Sequence, residues 1–303
     1  MVSATLAKDR ITRRRAAPAV VRPGPAWALP GLVFFVIFAI IPMAGVVYLS
    51  FTSWNGLTSP QFTGLANWTR FASDGTIWQS TWITGALLIG NTIVQAPISV
   101  LLGVWAAGRQ RNRAVLSAIF FLPLLLSTAA VAVMWRQLLD PNFGVPSKIG
   151  HLNVFGGQWS SLATLVVVMS WQYIPFHTLI YQGAARSIPQ NLYQAAQIDG
   201  AGRVKQFTHI TLPQLRNAII TSSTFMIIGG LTAFDIVLLL TDGGPGTDTS
   251  ILPFKMYQTA FQSYEFGYGS AIATFLLVLA TGISLILVKA SGYDKMRSTM
   301  EGM

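Results

Sequence analysis

Long apolar segments separated by short polar ones run through most of the sequence. Each apolar segment is close to the ~20 residues that a helix needs to cross a hydrocarbon core ~30 Å thick. Backbone groups in hydrocarbon must pair within the segment, which favours helices over strands. The pattern therefore predicts an all-α polytopic membrane protein with six transmembrane helices. The six segments are residues 27–51, 82–107, 114–139, 160–182, 217–240 and 269–290.

The composition excludes an ordinary soluble protein. Hydrophobic residues make up 52% of the 303 residues and charged residues only 10%, whereas soluble domains carry about 25% charged residues. The aromatic content of 12% argues against a disordered chain. Because there is no cysteine, disulfides, thiolate nucleophiles and cysteine-ligated zinc are excluded.

The distribution of positive charge predicts the orientation. If all six segments cross, the two termini and the second and fourth gaps lie on one face. That face carries 16 of the 20 lysines and arginines, in groups of six, three, four and three. The positive-inside rule makes this face cytoplasmic, so both termini are expected inside the cell, in a multi-pass protein of the inner membrane. This topology explains the net charge of +10, and no nucleic-acid partner is expected.

Two regions follow from the positions of the segments. Residues 1–26 contain an arginine cluster and three prolines, and we expect them to form a basic, disordered cytoplasmic tail. Residues 27–303 form the membrane domain, with its core at 82–290. The first apolar segment exceeds the 7–15 residues of a signal-peptide core, which predicts an uncleaved first span.

Polar residues inside the apolar segments are candidates for function. Asp235 lies in the fifth segment, and an intramembrane carboxylate usually faces the bundle interior or a water-filled cavity. A pathway role and a structural bond between helices are equally compatible with this position. Asn91 and Gln95 lie one turn apart in the second segment, where a hydrogen bond between helices is the favoured interpretation. Kinks are predicted at the prolines of the first four segments, Pro42, Pro97, Pro123 and Pro175.

The fourth gap is the most structured polar stretch. Ser187 and Gln190 have the spacing of a capping box, which predicts the start of a helix. That helix should end near Gly200. A second short helix is predicted to end at about Thr211, before Pro213. The two helices can lie on the lipid surface or dock a cytoplasmic partner, and composition does not separate these interpretations.

Small and apolar residues at fixed spacing in this gap form a motif. Its residues are Gln194, Ala195, Ala196, Asp199, Gly200, Ala201, Phe207, Ile210, Leu212 and Pro213. The motif resembles the EAA signature of permease subunits in binding-protein-dependent ABC importers. The outer turn at 240–245 and residues 51–56 are similar to the carbohydrate-uptake branch, the maltose- and glycerol-phosphate-type permeases. The resemblance covers nearly the whole chain, most strongly 82–290.

The resemblance implies a mechanical role for the loop 183–216. In that family it would be a coupling helix seated in a cleft of an ATPase subunit, and the motif residues would make the contact. Rocking of an ATPase dimer would switch the permease domain, residues 27–303, between outward and inward openings. Gln194 stands where a glutamate is usual, and its amide can form a hydrogen bond but carries no charge.

The implied function is that of a permease subunit of an ATP-driven sugar importer, which is not an enzyme and holds no cofactor or metal. The sequence has no G-x-x-x-x-G-K-[ST] loop, so ATP hydrolysis belongs to a partner chain. No internal repeat supplies the second half that alternating access requires. A second, similar permease is therefore expected as a heterodimer partner, with a homodimer as the alternative. An extracellular or periplasmic solute-binding protein would deliver the sugar or oligosaccharide.

Aromatic and amide side chains within the segments suit stacking on a sugar and bonding to its hydroxyls. The residues expected along the substrate path are Asn91, Gln95, Trp171, Gln172, Tyr173, Phe234 and Asp235. One alternative is a permease for a non-sugar solute. Another is a self-sufficient secondary transporter, whose ion relay would need Asp235 and His177. A membrane enzyme is disfavoured, because the three histidines have no metal-binding spacing.

Overall fold

The described part of the chain is mostly helical. The computed structural model describes residues 25–108, 113–148 and 153–290, and most of the expected tail, residues 1–24, lies outside them. The chain divides into two units, residues 1–45 and 46–303, and each is described by itself. In the second unit, strands β1 (Thr52–Ser53) and β2 (Gln61–Phe62) form a short antiparallel hairpin.

Fifteen α-helical stretches are present in the described residues. In chain order they are α1 (Leu29–Phe35), α2 (Ile41–Leu49), α3 (Ala66–Ser73), α4 (Gly75–Ala107), α5 (Arg113–Leu125), α6 (Thr128–Leu138), α7 (Val145–Lys148), α8 (Gln158–Arg186), α9 (Gln190–Ile198), α10 (Arg203–Gln206), α11 (Leu212–Gln214), α12 (Arg216–Leu231), α13 (Phe234–Leu240), α14 (Leu252–Tyr257) and α15 (Phe266–Ala290).

The all-α polytopic prediction is confirmed, and the number of straight spans is smaller than six. Four helical stretches are long and apolar enough to cross a membrane: Ala26–Leu49, Gly75–Ala107, Gln158–Arg186 and Phe266–Lys289. They correspond to the first, second, fourth and sixth predicted segments. The third and fifth segments are pairs of helices bent by 101° and 47°. The described residues therefore hold four spans, or up to six if each bent pair counts as one.

The third segment is broken rather than kinked at its proline. Pro123 lies inside α5, and the break follows it, at Leu126 and Ser127. Ser127 has an extended backbone (φ −65°, ψ 147°), and its hydroxyl accepts a hydrogen bond from the Ala130 N–H at 3.2 Å. A serine in this conformation is a strong helix N-cap. It therefore starts α6 as a separate helix in a new direction.

Two prolines are accommodated by wider helical turns that precede them. Val36–Ile40 precedes Pro42 and Phe207–Thr211 precedes Pro213, both as π-helical turns. A proline ring clashes with the carbonyl four residues earlier in a regular α-helix, and a π turn changes that register. The second loop helix was predicted to end near Thr211, and this is wrong. Its backbone bonding continues past Pro213, with the Leu215 N–H bonded to the Thr211 carbonyl.

The core of the second unit lies where α4, α6, α8 and α13 meet. Ile83 and Leu87 on α4, Val131 on α6, Leu165 on α8 and Val237 on α13 are fully buried in one cluster. In a membrane, such contacts stabilise the bundle through close packing rather than through transfer out of water. The core therefore fixes the relative positions of the helices that carry the breaks.

Helices α4 and α8 also approach closely at Gly103. A Cβ atom there would lie 2.5 Å from the Cβ of Tyr181, so only glycine fits without a shift of the helices. Near this contact, Gln182 Nε2 donates to the Ala106 carbonyl at 2.7 Å. This hydrogen bond joins the C-terminal end of α8 to that of α4. Both ends are predicted to lie on the cytoplasmic side.

Candidate functional site

A cavity of about 360 Å³ opens beside both helix breaks. Leu124 and Thr128 line it from the two sides of the α5–α6 break. Thr232 and Ala233 line it at the α12–α13 break. Irregular backbone at membrane depth is tolerated where it is buried in protein or lines a water-filled cavity, so the breaks and the cavity belong to one feature.

Two amides of the predicted substrate path line the cavity from α4. Asn91 Nδ2 donates to the sulfur of Met169 on α8 at 3.3 Å, and Gln95 Nε2 donates to Asn91 Oδ1 at 3.2 Å. Both residues are buried. The same pair therefore links two helices and presents polar atoms to the cavity.

Asp235 lies in the first turn of α13 and also lines the cavity. Its side chain is exposed, and within the described residues it forms no ion pair or side-chain hydrogen bond. The N-terminal end of a helix stabilises a negative charge. A carboxylate in this position is available to accept hydrogen bonds from a ligand.

Helix α8 makes two further polar contacts beside the cavity. Tyr173 OH and the Thr128 hydroxyl lie 3.1 Å apart, and His177 Nδ1 lies 2.9 Å from the Ser222 hydroxyl. They join α8 to α6 and to α12. The cavity thus has hydroxyl, amide and carboxylate groups among apolar residues, and no lysine or arginine among the described residues that line it.

Three residues of the predicted path lie outside this cavity. Trp171 packs edge-on against Trp135, with ring centroids 5.6 Å apart. Gln172 is buried, and its Nε2 donates to the Leu126 carbonyl at the first break. Phe234 packs against Tyr257. Gln172 therefore supports the break, while the two aromatic residues pack against other rings.

Sequence reasoning missed several residues that line the cavity. Phe176, Phe225 and Met226 are apolar residues within apolar segments, and no pattern distinguishes them from residues that face lipid. Gly229 and Gly230 carried a usable signal, because adjacent glycines before a threonine weaken a helix near the position where α12 ends.

The coupling loop predicted at 183–216 exposes its motif residues. Helix α9 contains no buried residue, and Gln194, Ala195 and Asp199 are exposed. Beyond them Ile198 is 87% exposed and Val204 77% exposed. The outer side of the loop therefore presents both small and apolar side chains.

The turn of the loop is built around Gly200, as the sequence predicts. The Ala201 N–H bonds to the Ala196 carbonyl at 2.8 Å, and the Gly200 N–H bonds to the Gln197 carbonyl at 3.1 Å. This is the Schellman arrangement, which places the residue after the C-cap in the left-handed region. Gly200 has φ +73°, a conformation that favours glycine.

The start of α9 corrects the predicted capping box. The Ser187 hydroxyl donates to the Ala184 carbonyl at 2.8 Å, which closes the end of α8 instead of opening α9. Helix α9 begins at Gln190 after Pro189, with no side-chain cap. The Ser187 hydroxyl could serve either the first N–H groups of α9 or the last carbonyls of α8. It bonds to α8, because the last carbonyls of a helix also need hydrogen-bond donors.

One motif residue, Phe207, holds the loop onto the membrane helices. Phe207 packs against the buried cluster of Val100, Tyr181 and Leu215. Gln206 Nε2 donates to the Ala201 carbonyl at 2.7 Å. Pro213 is exposed. Some motif residues, such as those of α9, are thus exposed, whereas Phe207 packs against the membrane helices.

A polar cluster joins α3 to the starts of α4 and α15. Arg70 pairs with Glu265 at 2.9 Å and lies 3.9 Å from the centre of the Tyr268 ring. Tyr268 OH donates to Asp74 Oδ2 at 2.8 Å. Burial acts to raise the pKa of the Asp74 carboxyl, but hydrogen bonds from Thr76 and Tyr268 outweigh it and hold the pKa below its usual value. Asp74 therefore stays ionised as the cap of α4.

Comparison with known proteins gives consistent results. Residues 99–292 match the family described as "Binding-protein-dependent transport system inner membrane component". The chain is 30% identical over 263 residues to a probable starch degradation products transport system permease of Thermoanaerobacterium thermosulfurigenes, covering 86% of this chain and 90% of the relative. It is 30% identical over 281 residues to the trehalose/maltose transport system permease of Thermococcus litoralis, covering 88% and 92%.

The fold is also similar to that of a solved transporter. A chain of a bacterial alginate ABC transporter, determined in complex with an alginate pentasaccharide-bound periplasmic protein, aligns with a TM-score of 0.76. The sequence identity is 23%, and the alignment covers 88% of this chain and 93% of that chain. At this identity the likeness concerns the fold alone.

Proposed function

The chain belongs to the family of binding-protein-dependent transport system inner membrane components, and from that premise we propose that it is a permease subunit of an ATP-driven sugar importer. As a member it is an integral membrane ABC transporter permease, a transport component rather than an enzyme. The finer statements concern its substrate, its coupling to an ATPase, its orientation and its partners.

The cavity at the two helix breaks is the proposed part of the substrate path. It combines amides, hydroxyls and one carboxylate with aromatic and apolar residues, and no cationic residue lines it among those described. Polar groups of this kind suit the hydroxyls of a sugar, and the apolar surface suits its ring faces. The two relatives named for starch products and for trehalose or maltose support the same substrate class. This arrangement is the observation that carries the proposal.

The loop 183–216 is the proposed contact with the ATPase. Its support is the exposed surface of α9, which ends in the glycine turn, together with the anchor at Phe207. A force applied to α9 would reach α12 through one nearly continuous helical path, from α10 to α12. Because α12 ends at the break beside the cavity, movement of the loop and reshaping of the cavity would be linked.

The orientation and the partners complete the proposal. The loop and both termini lie in the cytoplasm, where the ATPase dimer acts. A second, similar permease supplies the other half of the path, as a heterodimer rather than a homodimer. A solute-binding protein on the outer face delivers the sugar, as the family description implies.

The test is reconstitution with the cognate partners. The chain is co-purified with the permease, ATPase and binding protein expressed from the same source, and ATP hydrolysis is measured in vesicles against a panel of sugars and non-sugar solutes. Stimulation by one sugar through its binding protein is the expected result. Uptake that persists with no ATPase present would identify a secondary transporter, and stimulation by a non-sugar solute alone would overturn the substrate class.

A further inference from the structure

A second cavity, of about 390 Å³, lies between the coupling loop and the ends of two membrane helices. Its walls come from the C-terminal ends of α4 and α8 and from the first turns of α9 and α10. We propose that this cavity binds a phosphate-bearing anion, anchored by Arg186 and Arg203. The proposal goes beyond transport itself and rests on the proposed function only for the statement that this end of the helices is cytoplasmic.

The charge of the cavity favours an anion. Arg186 ends α8 and Arg203 begins α10, and no acidic residue lines the cavity in the described part of the chain. Neither arginine forms an ion pair with another described residue. Each guanidinium has five N–H donors in a planar fork that matches phosphate oxygens in pairs.

One carbonyl at the end of α4, which would otherwise repel an anion, is already hydrogen-bonded. The carbonyls at the C-terminal end of a helix carry partial negative charge. At α4 the Ala106 carbonyl accepts hydrogen bonds from Gln182 Nε2 at 2.7 Å and from one Arg186 nitrogen at 3.3 Å. One contact of Arg186 therefore satisfies the helix end, and its remaining donors are available to a ligand.

One uncharged side chain extends the site. Gln190 lines the cavity, and its amide nitrogen, which forms no hydrogen bond to another described residue, has two hydrogens to donate. The hydroxyls of Tyr193 and Thr211 lie 2.9 Å apart, and the Thr211 hydroxyl donates to the Gln206 carbonyl at 3.5 Å. These two hydroxyls therefore bond within the loop, and the donors left for an anion are those of the two arginines and the Gln190 amide.

The position of the cavity points to the headgroup region of the membrane. Helices α4 and α8 are both membrane spans, and both end here. Basic pockets between membrane helices on the cytoplasmic side bind the headgroups of anionic lipids. Free phosphate has the same chemistry, so the experiment has one arm for each source. In either case the bound anion would join the coupling loop to the ends of α4 and α8.

The test titrates the purified full-length chain in detergent with short-chain phosphatidylglycerol, short-chain phosphatidylcholine and inorganic phosphate, and counts bound molecules by native mass spectrometry. We expect phosphatidylglycerol to bind and phosphatidylcholine not to bind. Each basic side chain near an anionic headgroup contributes roughly five-fold to the affinity. Arg203→Gln should weaken binding about five-fold, and the double change Arg186→Gln with Arg203→Gln about thirty-fold.

The matched control removes the same charge from the same loop. Lys205→Gln with Arg216→Gln changes two exposed residues that do not line the cavity, and this variant should bind as the unaltered chain does. Arg203→Gln is the preferred single variant, because a change at Arg186 would also remove its hydrogen bond to the Ala106 carbonyl of α4. Phosphate binding with the same dependence on the arginines, without lipid binding, would assign the site to free phosphate.

Two results would overturn the proposal: no anion binding, or equal losses in the control and the double variant. Equal losses would mean general attraction to a basic surface. The measurement needs neither transport nor an ATPase. Anion binding can therefore be found even if the chain does not transport a sugar, and sugar transport can be found even if no anion binds.

Discussion

At the scale of the residue, Asp235 offers the clearest test of the substrate cavity. Its carboxylate faces the cavity with no partner among the described residues. Hydrogen bonds to a charged group contribute about 1.5–3 kcal/mol, against about 1 kcal/mol for neutral ones. We therefore expect Asp235→Asn to weaken sugar uptake about ten-fold in KM, measured as transport in vesicles.

The control for this change is at the other end of the same helix. Asp242 follows α13, lies in the left-handed region (φ 50°) and does not line the cavity. Asparagine tolerates that conformation well, so Asp242→Asn should transport normally. Unchanged uptake in the Asp235 variant would reduce that residue to a structural role.

Gly200 and Gly202 form a matched pair for the coupling loop. A Cβ atom at either glycine meets no atom within 4 Å, but only Gly200 has a positive φ. A β-branched residue held there costs about 1–3 kcal/mol in backbone strain. Gly200→Val should therefore reduce co-purification of the ATPase and sugar-stimulated ATP hydrolysis, whereas Gly202→Val should leave both nearly intact. Equal effects of the two changes would contradict a role for the turn geometry.

At the scale of the element, the sequence predicts a helix end correctly where one residue determines it. The prediction is wrong where two nearby residues could each set the end or the break of a helix. Gly200 ends α9 because a glycine directly after the C-cap residue takes the left-handed conformation without strain. In the third segment, Pro123 led to the prediction of a kink, yet the capping serine four residues later sets the direction of α6. The π turns before Pro42 and Pro213 have no sequence signature of their own, so the continuous path from α10 to α12 was not predictable.

The two serines allow a prediction about caps. Ser127 accepts a bond from a helix-starting N–H, whereas Ser187 donates to the last turn of α8. Loss of an N-cap typically costs about 1 kcal/mol, and surface substitutions elsewhere stay within about 0.5 kcal/mol. Ser127→Ala should therefore lower the free energy of unfolding in detergent by about 1 kcal/mol, and Ser187→Ala by less. A larger loss at Ser187 would restore the capping box that the sequence suggested.

At the scale of the whole molecule, the sequence identified polar residues at membrane depth but not which of them meet. Tyr173 lines the cavity and Trp171 does not, although they are two residues apart on α8. Helical rotation separates such neighbours by about 200°, and the bends at the two breaks decide which face opens. Local residues such as Ser127, Gly229 and Gly230 mark where the helices break. The angles of the bends depend on contacts among α6, α8 and α13, which no local pattern encodes.

Because the sequence contains no cysteine, single introduced thiols can report which side of the membrane each loop faces. Leu57→Cys, Phe143→Cys and Ile198→Cys each place one thiol at a side chain that is at least 87% exposed. Only α8 among the spanning helices separates Phe143 from Ile198, so a membrane-impermeant maleimide should label Phe143→Cys from outside the cell and Ile198→Cys from inside.

The third variant decides whether the strongly bent pair α5 and α6 crosses the membrane. Helix α4 and that pair lie between Leu57 and Phe143. If the pair crosses, the two positions are separated by two crossings, and both are labelled from outside. If the pair enters and returns on the same face, only α4 crosses, and Leu57→Cys is labelled from the opposite side to Phe143→Cys. We expect labelling from the same side, because the basic residues between α4 and α5 then lie in the cytoplasm together with the coupling loop. Labelling of Ile198→Cys from outside would contradict the proposed orientation whatever the bent pair does.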